Sequence, residues 1–188
     1  MRVSATPLAL PEVVLLEHEQ FEDDRGYFME VYKGEDFRAL GLPETFVQLN
    51  ESRSAKGVIR GLHFQWEPPM AKLMRVVEGA AFLVAVDIRH NSPTRGQWVG
   101  ETFHAHQQRQ LWAPAGFARG VCALADNTCV QYLCTGAYNG AAESGILWND
   151  PEIGIPWPIK APRLSTRDGQ AQTLRQWLTR PESRRFAV

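Results

Sequence analysis

The densest run of chemically capable side chains is Lys56-Gly57-Val58-Ile59-Arg60-Gly61-Leu62-His63-Phe64-Gln65, a strand-like segment carrying Arg, His and Gln around a glycine. Histidine titrates near neutral pH without help, which suits it to accept a proton from a substrate. A single histidine is nonetheless more often structural, and a charged strand face is more often simply solvated. Regular alternation argues against that simple account, because it puts Arg60 on the side opposite His63, together with the apolar Leu62 and Phe64. Gly61 is therefore expected to support a β-bulge that re-aims one of these side chains.

His104-Ala105-His106 has the spacing of a pair of metal-ligating histidines. Gln107, Gln108, Arg109 and Gln110 follow where a glutamate ligand is needed, and no second histidine comes from a later strand. The ligand set is incomplete, so no metal is expected and metal-dependent catalysis is the weaker alternative. Cys122, Cys129 and Cys134 are odd in number and lack Cys-x-x-Cys spacing, which reads as reduced, strand-borne thiols.

The elements that must position these groups are short and β-rich. Candidate strands are 13–17, 27–32, 46–52, 58–65, 72–77, 80–88, 98–103, 110–113, 120–125 and 129–134, separated by turns such as Asp24-Arg25-Gly26, Glu78-Gly79, Asn91-Ser92-Pro93 and Pro114-Ala115-Gly116. Ten short strands predict an all-β sandwich or barrel. Two helices are expected, a short one over 35–40 and a C-terminal one over 169–179. In the second, Ala171, Leu174, Trp177 and Leu178 form an apolar stripe, and Asp168 stands at the N-cap position. The proline-bearing stretch 148–164, with Pro151, Pro156, Pro158 and Pro162, is expected to wrap the surface as an ordered extended segment.

The 188 residues, 44% of them hydrophobic, suffice for one domain core. Twenty basic residues against 21 acidic ones leave a formal net charge of -1, so no global field recruits nucleic acid or an anionic membrane. The longest strongly apolar stretch, Gly79 to Val86, falls far short of the ~20 residues of a membrane span. Ala9 to Leu16 is interrupted by Pro11 and Glu12 and has no small-residue cleavage site, so a cytoplasmic protein is expected.

Eight blocks in order make the chain resemble the dTDP-4-dehydrorhamnose 3,5-epimerase family. They are DDRGYFMEVY (23–32), FVQLNESRSAKGVIRGLHFQ (46–65), AKLMRVVEG (71–79), VAVDIRHNSPTRGQWVG (84–100), QLWAPAGFARG (110–120), QYLCTGAYN (131–139), GILWNDPEIGIPWP (145–158) and LSTRD (164–168). The resemblance implies a cupin-type jelly roll, or double-stranded β-helix, with short peripheral helices and no metal or organic cofactor. It also implies a homodimer with an exchanged N-terminal strand and a nucleotide-sugar substrate. The chemistry implied is removal of a proton from carbon next to a C4 ketone and its return on the opposite face.

On that resemblance His63 matches the base, Asp168 its orienting carboxylate, Tyr132 the acid on the far face and Lys72 the stabiliser of the enolate oxygen. Arg25 and Arg60 match guanidinium groups for the diphosphate, with Arg167 assisting. Glu30, Gln48, Asn50 and Glu143 correspond to polar ligand contacts, and Tyr138 to a ring stacked on the nucleobase. Three positions depart from the family pattern. Arg119 stands where a histidine usually contacts the substrate, and is expected either to add anion binding or to fill part of the sugar pocket. The connection from His63 to Lys72 is one residue shorter, and Leu83 replaces a frequent Asp. A sugar-nucleotide-binding module without turnover is the other alternative; the retained base, partner and acid argue for the enzyme.

Overall fold

Apolar residues alternate along the strands on two faces, and the chain buries both by stacking two antiparallel sheets and covering one of them. The structure, a computed structural model, describes residues 2–186. Its strands are β1 (Val3–Pro7), β2 (Val14–His18), β3 (Gln20–Asp23), β4 (Gly26–Met29), β5 (Gln48–Ser54), β6 (Ile59–Gln65) and β7 (Lys72–Glu78), then β8 (Ala80–Asp87), β9 (Trp98–His104), β10 (Arg109–Ala113), β11 (Phe117–Ala123), β12 (Thr128–Cys134) and β13 (Glu143–Gly145). One sheet runs β1-β2-β10-β7-β12-β5 and the other β13-β6-β11-β8-β9, while β3 and β4 pair as a separate hairpin. β10 lies between β2 and β7, and β11 between β6 and β8, so the chain passes repeatedly between the sheets. That is the jelly roll of the cupin type.

β8 shows how alternation builds both cores. Ala81, Leu83 and Ala85 face the space between the sheets with Leu15, Met74, Val76, Phe103, Leu111, Phe117 and Val130. Val84 and Val86 face outward and pack with Leu62, Phe64, Ile146, Trp177 and Phe186. The outer layer is thus closed by the chain beyond β13, with the Phe64 and Trp177 rings 4.5 Å apart. Full burial of such a side chain stabilises by roughly 1.5–3 kcal/mol, enough to hold a segment with little regular structure of its own.

Three short helices are peripheral: α1 (Gly34–Ala39), α2 (Thr166–Gly169) and α3 (Leu174–Thr179). Of the single C-terminal helix expected over 169–179 only α3 forms as such; α2 lies just before that span, and a bridge between Ile146 and Gln172 separates the two. Ser165, not Asp168, caps α2, its hydroxyl accepting from the Asp168 amide, and α3 starts from a reciprocal capping box between Thr173 and Gln176. Two local caps outweigh one continuous apolar stripe. β1, β3 and β13 escape the strand reading because they are short and lack a run of large apolar residues; Glu143-Ser144-Gly145 is a strand only because β6 pairs with it.

Candidate active site

The bulge expected at Gly61 organises the site. His63 pairs with Arg119 while Arg60 pairs with Val121, so three steps along β6 oppose two along β11. Gly61 absorbs the extra residue at φ +122°, and a Cβ there would stand 2.6 Å from the Arg119 carbonyl oxygen, so only glycine fits. The bulge cancels the alternation that would separate Arg60 from His63. Both now line one cleft with Arg163, Arg167 and Asp168.

His63 Nε2 lies 2.6 Å from Asp168 Oδ1. A carboxylate only accepts, so Nε2 carries the proton and donates, leaving the Nδ1 lone pair available. Asp168 is buried and held from below by Ser165. Burial works to raise its pKa, but the hydrogen bond and charge of His63, with help from Ser165 and the Gly61 main chain, hold it below the ordinary carboxylate value.

Facing this pair across the lumen, β7 and β12 of the other sheet present Lys72 and Tyr132, with Lys72 Nζ 4.6 Å from the ring centroid. Burial, reinforced by Cys134, raises the Tyr132 phenol above its ordinary pKa and keeps it a proton donor at neutral pH. Burial and then the Arg119 charge push Lys72 down to about 8.

At the mouth, a hydrogen-bonded chain gathers further polar groups beside Asp168. Gln48 Nε2 donates to Asn50 Oδ1 at 2.9 Å, and Gln48 Oε1 accepts from the Tyr138 amide at 2.8 Å. The Tyr138 hydroxyl donates to Glu143 at 3.0 Å, and Arg167 Nη1 bonds the same carboxylate oxygen at 2.5 Å. Tyr138 remains 60% exposed, so a face of its ring is open to a planar ligand. Asn50 pairs directly with Tyr132 across the sheet, which joins the mouth to the lumen.

Arg25 and Glu30 are not brought to this cleft. Arg25 lies on the β3–β4 hairpin, exposed and paired with Asp23, while the Glu30 carbonyl accepts from His18 Nδ1 at 3.1 Å beside β2. His104 and His106 stack with ring centroids 5.3 Å apart, and among the described residues no cluster of three His, Cys, Asp or Glu could hold a metal ion.

A family model described as dTDP-4-dehydrorhamnose 3,5-epimerase matches residues 7–176. The chain belongs to this family. The dTDP-4-dehydrorhamnose 3,5-epimerase of Pseudomonas aeruginosa is 48% identical over 172 residues, covering 90% of this chain and 95% of that relative. The Neisseria gonorrhoeae relative of the same name is 50% identical over 169 residues; these are 89% of this chain, which spans only 52% of that protein's length. Among solved structures, the dTDP-6-deoxy-D-glucose-3,5-epimerase of Legionella pneumophila, in complex with dTDP-4-keto-L-rhamnose, superposes with a TM-score of 0.91 at 38% identity, covering 96% of both chains.

The fold places all three positions that the sequence singled out as unusual, Arg119, the connection before Lys72 and Leu83. Arg119 is buried and bonded to main-chain carbonyls, and is not presented at the open mouth. The short connection before Lys72 is closed by a bridge between Trp66 and Pro69, and Leu83 sits fully buried in the inter-sheet core. Three residues have supporting roles that were not read from the sequence. Arg163 lines the cleft. Ser165 fixes Asp168, and its Ser-x-x-Asp spacing was a readable cap signal. Gln65 holds the Tyr138 loop by donating to the Pro68 and Ala137 carbonyls at 3.0 and 2.9 Å.

Proposed function

We propose that the chain epimerises a 4-keto-6-deoxyhexose carried on a nucleoside diphosphate, with dTDP as the nucleotide, in deoxysugar biosynthesis. The observation that carries this reading is His63 on β6, paired with Asp168 of α2, on the sheet opposite the one that carries Tyr132 and Lys72. His63 Nδ1 takes the proton from the carbon beside the C4 ketone, and the freed electron pair moves into the carbonyl to leave an enolate oxygen. The Lys72 ammonium stabilises that oxygen. Tyr132 then returns a proton to the opposite face as the enolate collapses to the ketone, giving the epimer. Solvent reprotonates the phenolate and accepts the proton held by His63. Base, acid and stabiliser are all side chains, so the reading calls on no metal or organic cofactor.

Arg60 and Arg167 serve the diphosphate, and Tyr138 with Glu143, Gln48 and Asn50 the nucleoside. Each deprotonation next to the ketone admits solvent hydrogen, so heavy water counts the centres. With dTDP-4-keto-6-deoxyglucose, deuterium is expected at both C3 and C5, read by NMR. Label at one lasting position would make this a single-centre epimerase, and no label across dTDP, GDP and CDP sugars would favour a binding module.

The same reading makes the chain one epimerase-like domain acting as a cytoplasmic homodimer. Three buried free cysteines suit a reducing compartment, and among the described residues no helix is long and apolar enough to cross a membrane. Phe21, Tyr27 and Phe28 project from the β3–β4 hairpin, and Val47 and Leu49 are exposed at the edge strand β5, leaving apolar surface for a second copy. Arg25 shares that hairpin, so pairing would carry it toward a partner's cleft. Sedimentation should give twice the chain mass at micromolar concentration; a monomer would discard this role for Arg25.

A further inference from the structure

Buried Arg119 and half-buried Lys72 stand together in the lumen, with no carboxylate bonded to either among the described residues. Arg119, 4% exposed, lies on β11 between Phe117 and Val121, which both face the inter-sheet core, so alternation turns Arg119 into the same space. Lys72 precedes the inward Met74 by two residues, and Tyr132 follows the inward Val130 at the same period. Arg119 is fixed there by its Nη1, which donates to the carbonyls of Phe117 at 2.7 Å, Met70 at 3.0 Å and Pro114 at 3.4 Å. These carbonyls bracket Lys72: Met70 lies two residues before it, and Pro114 follows Ala113, the residue paired with Lys72 across β7 and β10.

The remaining Arg119 Nε and Nη2 have no hydrogen-bond partner among the described residues. Burying such donors unmet costs roughly 1–3 kcal/mol each, and more when the group is charged. Repulsion from Lys72 adds to that cost. The residues paired with Arg119 across the sheet are His63 and Ala85, and the next residue inward on β8 is Leu83, so β6 and β8 place no acid beside it, and the one carboxylate whose charge reaches Lys72 is that of Glu143 on β13. An arrangement of this kind is unfavourable while empty and favourable once an anion arrives between the strands.

We propose that Arg119 completes a two-cation oxyanion site, its anchored guanidinium acting with the Lys72 ammonium on the negative charge that develops at the sugar's C4 oxygen. This rests on the epimerase reading and adds to it a second fixed cation at the oxyanion, one that also sets the proton affinity of Lys72. The groups facing Lys72 are Arg119 from β11, Tyr132 and Cys134 from β12 and Glu143 from β13. Arg119, pushed down by burial to about 10, stays charged at neutral pH. Lys72 therefore loses its proton, and its use as a stabiliser, as pH rises through about 8. The alkaline limb of kcat/KM should lie there in the free enzyme.

Arg119→Gln removes one of the two charges. With dTDP-4-keto-6-deoxyglucose in heavy water it should slow deuterium entry by about 10²-fold, while dTDP affinity changes less than about threefold. Its alkaline limb should move to higher pH, because Lys72 no longer faces a fixed cation; Arg119→Lys, which keeps a charge, should hold the limb near the wild-type position. Arg119→His, neutral at alkaline pH, serves as the second charge-removing variant if the glutamine chain does not fold. A fall in dTDP affinity matching the fall in exchange would overturn the proposal by assigning Arg119 to the diphosphate. An unmoved limb with unchanged exchange would overturn it by making Arg119 a packing residue. Wild-type exchange alongside indifferent variants sinks this inference alone, whereas a wild type without exchange sinks the epimerase reading as well.

Discussion

His63→Asn is expected to cut deuterium entry at the sugar carbons by about 10³-fold while dTDP affinity stays within about threefold. The substitution keeps a side chain able to donate to Asp168 but removes the lone pair that takes the substrate proton. Nothing else at this end of the lumen replaces it: among the described residues His63 is the only imidazole bonded to a carboxylate here, and Lys72 and Tyr132 come from the opposite sheet. The proposed nucleotide contacts, Tyr138, Glu143 and Arg167, are bonded to one another and not to His63, so the mouth should survive the change. Exchange measured by NMR, beside dTDP titration, separates the two effects. An equal loss of both would make His63 a structural residue.

Asp168→Asn is expected to slow exchange by about 10²-fold or more, again with dTDP affinity nearly unchanged. The carboxylate holds the proton on Nε2 and offsets the charge that His63 gains on taking the substrate proton. An amide offers a carbonyl or an N–H at the same place, so the ring can be held in either tautomer and its positive form is no longer offset. The same variant has a stability signature whose sign follows from the lowered Asp168 pKa. A carboxyl with a depressed folded-state value stabilises above its unfolded value and loses that contribution as pH falls through the folded one. The melting temperature of Asp168→Asn should therefore lie below that of the wild type at neutral pH, and the gap should close in acid. Unchanged exchange with a lowered melting temperature would reduce Asp168 to a structural role.

The strands of the barrel were legible because each is an apolar run bounded by turn residues, and β6, β7, β8, β9 and β12 lie within a residue or so of where periodicity puts them. The C-terminal helix was misread for a reason of the same kind. Ala171, Leu174 and Trp177 satisfy a helical stripe, yet Gln172 bonds to the Ile146 segment and Thr173 restarts the helix, choices that depend on what packs above them. Position before that stripe suggests a cap for Asp168 and the family resemblance an orienting carboxylate; Ser165, three residues earlier, does the capping, and the Asp168 carboxylate meets His63.

What the sequence by itself determined is the kind of chemistry available and the need for something unusual at Gly61. Alternation is a local rule, so its failure between Arg60 and His63 is visible without a structure, and glycine is the residue that lets a strand break step. Tertiary structure alone decided which groups meet. His63 and Asp168 are 105 residues apart, and no spacing rule connects them; the outer layer folding back over β6 does. It also decided that Arg119 lies buried beside Lys72, because the charge on a guanidinium says nothing about which face of β11 it will occupy or which carbonyls will hold it. Arg25 and Glu30 were likewise placed by the fold, on and after a hairpin that stands away from the cleft of its own chain. Local periodicity sets which way a side chain points along one strand, while the distance between strands is set only when two sheets close around a shared core.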